Sequence, residues 1–269
     1  MTRLRAAGCV FAEDEAALLE RAARTPAELA DMVDRRTGGL PLEHVLGWVE
    51  FCGLRIAVDP GVFVPRRRTE LLVRHAASLA PPGPTVLDLC CGSGALGVVL
   101  TTLLDDVELH ATDLEPAAVR CARRNVGPVG GQVYEGDLYR PLPTTLRGRV
   151  DILVANTPYV PTDSIGLLPP EARIHEPKIA LDGGADGLDV VRRVAAEATD
   201  WLAPGGHLFV ETSEGQLPIA VEVFASNGLT PSVATSDELG ATVVIGTSCR
   251  PGSRRGAGPS DSPAAWSAA

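Results

Sequence analysis

The residues best suited to chemistry cluster where apolar runs end. Val86-Leu-Asp-Leu-Cys-Cys-Gly-Ser-Gly-Ala-Leu-Gly97 carries a buried-strand pattern into a glycine turn and then a helix pattern. Glycines in such a turn let the backbone approach a ligand closely, and the helix that follows presents unpaired N–H groups. Gly92 to Gly97 spells a literal GxGxxG, which fits a dinucleotide fingerprint or simply a tight strand–helix turn. Three carboxylates point elsewhere. Asp88 lies at the end of the first strand, where it can meet a cationic ligand group. Asp113 ends the second strand, where a carboxylate can accept from both hydroxyls of a ribose. Asp137, in Glu135-Gly136-Asp137-Leu138, follows the third strand and can reach an adenine amino group. An ammonium, a ribose and an adenine are parts of S-adenosylmethionine, which also has a sulfonium and needs no pyrophosphate site. A further polar cluster, Asn156-Thr157-Pro158-Tyr159, directly follows the apolar run Asp151–Ala155.

The elements that must position these residues show an α/β pattern. Strands are predicted at Thr85–Cys90, Val107–Thr112, Gln132–Tyr134, Val150–Ala155, His207–Glu211, Leu229–Ala234 and Thr242–Ile245. Helices are predicted between them at Ala95–Leu104, Pro116–Asn125, Gly187–Leu202 and Gly215–Ser226. Short apolar strands alternating with helices predict a parallel sheet covered on both faces. The loop Thr235–Gly240 is too short for a crossover helix, so the last strand must run antiparallel. Upstream, amphipathic stretches at Ala12–Arg24 and Pro26–Arg36 predict two helices, with Thr25 and Pro26 as cap and first residue. Trp48 to Val58 predicts a hairpin around Cys52-Gly53, a helix follows from about Thr69 to Leu79, and Pro81-Pro-Gly-Pro84 marks a linker. The expected organisation is a short helical region (1–47), a hairpin and linker (48–84), a main domain (85–249) and a disordered tail (250–269) that includes an exposed Trp266.

Composition narrows the functions. The 269 residues, 45% of them hydrophobic, suffice for a real core, which excludes disorder across the whole chain. A net charge of −10 argues against stable nucleic-acid binding, which relies on neutralising phosphates. The six cysteines, at 9, 52, 90, 91, 121 and 249, show no metal-ligand spacing, so neither zinc nor another metal is expected and the thiols should be reduced. The longest uncharged run, Leu89–Leu104, is short and interrupted by glycines, so no membrane span is expected. The N-terminus turns acidic after a brief apolar run, unlike a secretory signal, which points to the cytoplasm.

The chain resembles the HemK/PrmC family of protein-(glutamine-N5) methyltransferases, and especially a branch from high-GC actinobacteria. The resemblance covers about Pro41 to Gly246. Pro41-Leu-Glu-His-Val-Leu-Gly47, Phe51-Cys-Gly-Leu54, Val58-Asp-Pro-Gly61, Val64-Pro-Arg66 with Thr69-Glu70, the Asp88 glycine turn, Asn156–Tyr159, His175-Glu-Pro-Lys-Ile-Ala-Leu181 and Gly183–Leu188 carry it in order. It implies a class I S-adenosylmethionine-dependent methyltransferase fold, Rossmann-like, with seven strands and an antiparallel last one. It also implies transfer of a methyl group to a glutamine side chain, with the Gly-Gly-Gln loop of class I release factors as substrate and S-adenosylhomocysteine as product. Asn156, Thr157, Pro158 and Tyr159 would then be catalytic: the Asn156 side chain and the carbonyl of Thr157 accept the two amide N–H bonds, and Tyr159 stacks on the amide plane. The cofactor would meet Asp88, Cys90, Gly92, Gly94, Asp113, Asp137, Leu138 and Asn156. Pro65, Arg66, Thr69, Glu70 and Glu176 would border the substrate pocket, while His44 and His175 are not assigned as bases.

The chain also departs from the family pattern. Thr157 replaces the first proline of Asn-Pro-Pro-Tyr, which keeps the carbonyl but gives up proline's fixed φ. Cys90 and Cys91 replace a glycine and a small residue, and a Cβ at 90 is expected to crowd the methionine moiety. Arg67-Arg68 replaces a Pro-Glu pair. Only about 40 residues precede the Pro41–Gly47 block, where the family carries a fuller helical bundle. Methylation of a small-molecule amide or amine, of an exocyclic amino group in nucleic acid, and a non-catalytic cofactor-binding subunit are the alternatives.

Overall fold

The computed structural model describes residues 1–249; the expected disordered tail, 250–269, lies outside the described residues. The chain opens with α1 (Thr2–Ala6), α2 (Ala12–Ala22), α3 (Pro26–Thr37) and α4 (Leu42–Leu46), of which α1 and α4 add to the two helices read from the sequence. The Thr25 hydroxyl caps α3 by accepting the Glu28 N–H at 3.1 Å, ahead of Pro26 in the first turn. Leu4, Ala12, Ala16, Leu19, Met32 and Val45 give these helices a small core of their own. A hairpin follows, β1 (Trp48–Phe51) against β2 (Leu54–Ala57), and then α5 (Glu70–Leu79).

The main sheet has seven strands: β3 (Thr85–Leu89), β4 (Glu108–Asp113), β5 (Gln132–Glu135), β6 (Val150–Ala155), β7 (Leu202–Thr212), β8 (Leu229–Ser236) and β9 (Ala241–Ser248). Their spatial order is β5-β4-β3-β6-β7-β9-β8, and β9 runs antiparallel to both neighbours. The crossovers carry α6 (Ala95–Leu103), α7 (Pro116–Val126), α8 (Pro170–His175), α9 (Asp189–Trp201) and α10 (Leu217–Ser226). Alternate residues of each strand serve the two faces. Val86, Ile152, Val154 and Phe209 pack with α5 and α6 on one face. Leu87, Leu89, Leu153 and Leu208 pack with α9 and α10 on the other. Among the described residues no helix is long and apolar enough to cross a membrane.

β7 begins at Leu202, earlier than its apolar pattern predicts. Val150 pairs with Leu202 and Ile152 with His207, so the register shifts across Gly205-Gly206. A side chain at Gly206 would stand 2.7 Å from the Val150 carbonyl, and only glycine permits that approach.

One ion-pair cluster ties the helical region to the main domain. Arg36, 7% exposed, donates to Glu15 at 2.7 and 3.0 Å and to Glu171 on α8 at 2.6 Å. Arg36→Met should destabilise the protein by about 3–5 kcal/mol, because it strands the Glu15 carboxylate in the interior. Adding Glu15→Gln should recover part of the loss, and chemical denaturation of both variants tests the pairing.

Candidate active site

The sheet order reverses at β3, and the strand ends there lie level: Leu89 pairs with Thr112 on one side and Ala155 on the other. Crevices outside the carboxyl ends of strands at such a point are where open α/β sheets bind ligands. A cavity of about 710 Å³ occupies this position. Of the site residues expected from sequence, its wall contains Cys90, Gly92, Asp113, Asp137, Leu138, Asn156, Thr157, Pro158, Tyr159, Pro65 and Arg66. Asp88, Gly94, Thr69, Glu70 and Glu176 stand off the wall.

Each of those five has a physical reason for its place. Asp88 is turned into the core, where its Oδ2 accepts the Gly97 N–H at 3.0 Å and so ties β3 to α6. Gly94, at φ +77°, starts α6 where a Cβ would stand 2.6 Å from the Val126 side chain. Thr69 is fully buried at the start of α5, and Glu70 accepts from Arg74 at 2.9 Å. Glu176 sits behind the wall and receives Arg66 at 2.6 and 2.7 Å and the Val64 N–H at 3.2 Å. Burial raises its carboxyl above the ordinary range, opposed by the Arg66 charge.

The glycine turn spends several of its N–H donors inside the protein. The N–H of Cys91 goes to the Thr112 carbonyl, that of Gly92 to Asp113 Oδ2, that of Gly94 to the Cys91 carbonyl and that of Gly97 to Asp88. With those donors spent inside the protein, the turn suits a ligand without a pyrophosphate. Asp113 also accepts the Glu115 N–H at 2.9 Å, and burial raises its carboxyl above the ordinary range. These bonds hold the carboxylate on the wall with lone pairs left for a ribose diol. Asp137 lines the wall too, but Arg193 Nη2 donates to both its oxygens at 2.7 Å. Cys90 takes a left-handed φ of +54°, a conformation that costs a residue with a Cβ about 1–2 kcal/mol.

Opposite the aspartates, Asn156 Oδ1 and Thr157 Oγ1 are buried without hydrogen-bond partners. Tyr159 is half-buried and held at both ends. Its carbonyl accepts from Gln216 Nε2 at 2.8 Å, and its hydroxyl donates to Glu211 Oε1 at 2.9 Å. Gln216 also donates to the Asp186 carbonyl at 2.8 Å, which packs the 183–188 loop against the tyrosine. Gly187 makes this possible at φ +80°, since a Cβ there would lie 2.3 Å from the Tyr159 carbonyl. Glu211 and Gln216 were not singled out in the sequence, although Glu211 carries the same signal as Asp113, an acid at the end of an apolar strand. Among the described residues no histidine lines the cavity. His44 is buried elsewhere, with Nε2 at 2.9 Å from the Val62 carbonyl.

Burial pushes the Asp88 carboxyl up to about 7, opposed by the Gly97 N–H. A carboxyl raised on folding binds its proton more tightly in the native state, so its contribution to stability falls as pH rises from about 4 to about 7. Asp88→Asn should flatten that dependence, gaining stability relative to the parent at pH 8 compared with pH 4.5. Thermal melts of both proteins across this range test it.

Comparison with known proteins gives the family. Residues 53–167 match the family model described as Methyltransferase small domain. A release factor glutamine methyltransferase from Geobacter sulfurreducens is 39% identical over 226 residues, covering 82% of this chain and 78% of that protein. One from Streptomyces coelicolor is 38% identical over 195 residues, covering 70% and 69%. Among solved structures, a methyltransferase from Pyrococcus furiosus shares the fold at a TM-score of 0.54 and 17% identity, over 73% of this chain and 89% of that one. With its strand-end cavity and its Asn156–Tyr159 segment, this chain belongs to the release factor glutamine methyltransferase family.

Proposed function

We propose that this chain methylates the side-chain amide nitrogen of a protein glutamine, in the Gly-Gly-Gln loop of a class I translation release factor. The observation that carries this reading is Asn156 Oδ1, an acceptor buried at the cavity and left without a donor. Leaving such a group unpaired costs about 1–3 kcal/mol, and a primary amide N–H supplies what it lacks. The resident cofactor of this reading is S-adenosylmethionine, and the residues present fit it: Asp113 for the ribose, Gly136 to Leu138 for the adenine side, and the wall at Cys90 and Gly92 for the methionine end. When bound, it supplies a methyl group on a sulfonium and leaves as S-adenosylhomocysteine.

An amide nitrogen is a poor nucleophile because its lone pair is delocalised into the carbonyl. Asn156 Oδ1 accepts one N–H and the carbonyl of Thr157 the other, which fixes the direction of the lone pair, while the Tyr159 ring covers the amide plane. No strong base is needed, since an alkylated, protonated amide is very acidic and releases its proton unaided. Residues 1–47 dock the protein substrate, 48–84 lead into the cavity and 85–249 perform the transfer, in the cytoplasm where release factors act. One lysine among 24 basic residues supports an origin in the high-GC actinobacterial branch.

Radiolabelled methyl from S-adenosylmethionine should appear on a cognate release factor and vanish when its Gly-Gly-Gln glutamine is changed to alanine. Label that persists in that control, or none on the intact factor, refutes the acceptor. Asn156→Ala should abolish transfer with cofactor affinity nearly unchanged. Asp113→Ala should weaken cofactor binding by about 1–3 kcal/mol, read by calorimetry, because it removes a charged acceptor.

A further inference from the structure

Glu211 is a buried carboxylate that neither the cavity wall nor the transfer step uses directly. It sits one residue beyond Val210, which pairs with Ala155, so the sheet register brings it beside the Asn156–Tyr159 segment. The side chain is 2% exposed, and its hydrogen bonding is lopsided. Oε1 accepts two bonds, from the Tyr159 hydroxyl at 2.9 Å and from Arg68 Nε at 2.9 Å, while Oε2 is buried with no partner. The Arg68 guanidinium also lies over the Tyr159 ring, 5.6 Å from its centroid. Arg68 itself lines the cavity.

A carboxylate this deep must be compensated by donors and opposite charge. Both donors in contact with Glu211 are groups at the tyrosine. If the ring swung away, Glu211 would keep a single donor; if Arg68 left, a buried charge would depend on one neutral hydroxyl. Burial next to Glu211 also raises the phenol above its ordinary range, which keeps it a donor. The ring is therefore restrained at its hydroxyl by Glu211 and over one face by Arg68, while Gln216 holds the main chain. We propose that Arg68 and Glu211 are a positioning pair that locks the Tyr159 ring in the orientation that aligns the acceptor amide, so that Arg68 contributes to how well this enzyme orients its substrate. This rests on Tyr159 covering the acceptor amide, as proposed above, but the lock itself is a property of the protein alone.

The test uses both sides of that distinction. The chain has three tyrosines, so ring-labelled tyrosine gives a simple NMR spectrum in which Tyr159→Phe assigns the relevant signal. In Arg68→Ala and Glu211→Gln, the Tyr159 resonance should shift and its ring flips quicken, while the Tyr134 and Tyr139 signals stay in place. With a release factor as acceptor, kcat should fall about 10-fold to 100-fold in both variants, as expected for a misaligned reactant, with cofactor Kd unchanged. Arg68→Lys should recover part of the rate by restoring the charge. In a Tyr159→Ala background, which removes the ring, Arg68→Ala should add little, since its effect acts through that ring. An unmoved Tyr159 signal overturns the proposal. So does an Arg68→Ala effect as large without the tyrosine ring as with it, or a loss confined to cofactor Kd. Arg68 is half-exposed, and its variants carry the test if Glu211→Gln fails to fold. If the parent protein methylates no release factor while the ring signal still responds, the substrate reading fails and the positioning pair stands.

Discussion

β3 has a neighbour on each side that runs parallel to it and stops at the same level, and the site exists because of that. With Leu89 opposite both Thr112 and Ala155, the chain leaves the sheet at 90, 114 and 156 around one opening. α6 and α7, which follow β3 and β4, cover one face, while α9, which follows β6, covers the other, so the space where they part is filled by neither. The cavity is thus a consequence of strand order. The chemistry placed on it comes from what each chain segment carries as it emerges.

Around this opening, four acids are matched to structural partners. Asp113 is matched by the amides of Gly92 and Glu115, Asp137 by Arg193, Glu176 by Arg66, and Glu211 by Arg68 and Tyr159. A buried carboxylate is expensive unless paired. The same bonds that lower the cost also join parts of the chain that would otherwise be independent: a glycine turn to a strand end, a helix to a loop, a pocket loop to the segment after α8. Asn156 Oδ1 and Thr157 Oγ1 remain without protein partners, as do Ser93 Oγ and Thr112 Oγ1 on the wall near Asp113, and Glu211 Oε2. The aspartates of the wall are compensated, whereas several neutral oxygens around the opening are not.

The family departures now have local meanings. Cys90 holds a left-handed conformation that glycine would adopt without cost. Arg67 and Arg68, adjacent in sequence, have different surroundings: Arg67 is exposed and pairs with exposed Glu238 at 3.7 Å, which contributes little, while Arg68 reaches a buried carboxylate. A basic run that looks uniform in sequence is therefore divided by the fold into a solvated residue and a structural one.

Much of the fold was legible because strands and helices announce themselves by period. The apolar runs predicted all seven strands, the length of the 235–240 loop predicted the antiparallel last strand, and Thr25-Pro26 predicted the start of α3. The ordered motifs pointed to the glycine turn and to Asn156–Tyr159 without any contact information. Tertiary structure alone decided which polar groups face the cavity and which are spent inside. Asp88 and Asp113 both sit near the ends of apolar strands, yet Asp88, level with Ala111, turns inward to the Gly97 amide while Asp113, two residues further on, lines the wall. Glu211 meets Tyr159 from 52 residues away, and Arg36 meets Glu171 across 135. Periodicity is a local property that fixes the face a residue occupies. A hydrogen-bond partner is fixed by strand order and register, which bring distant residues together only once the sheet has formed.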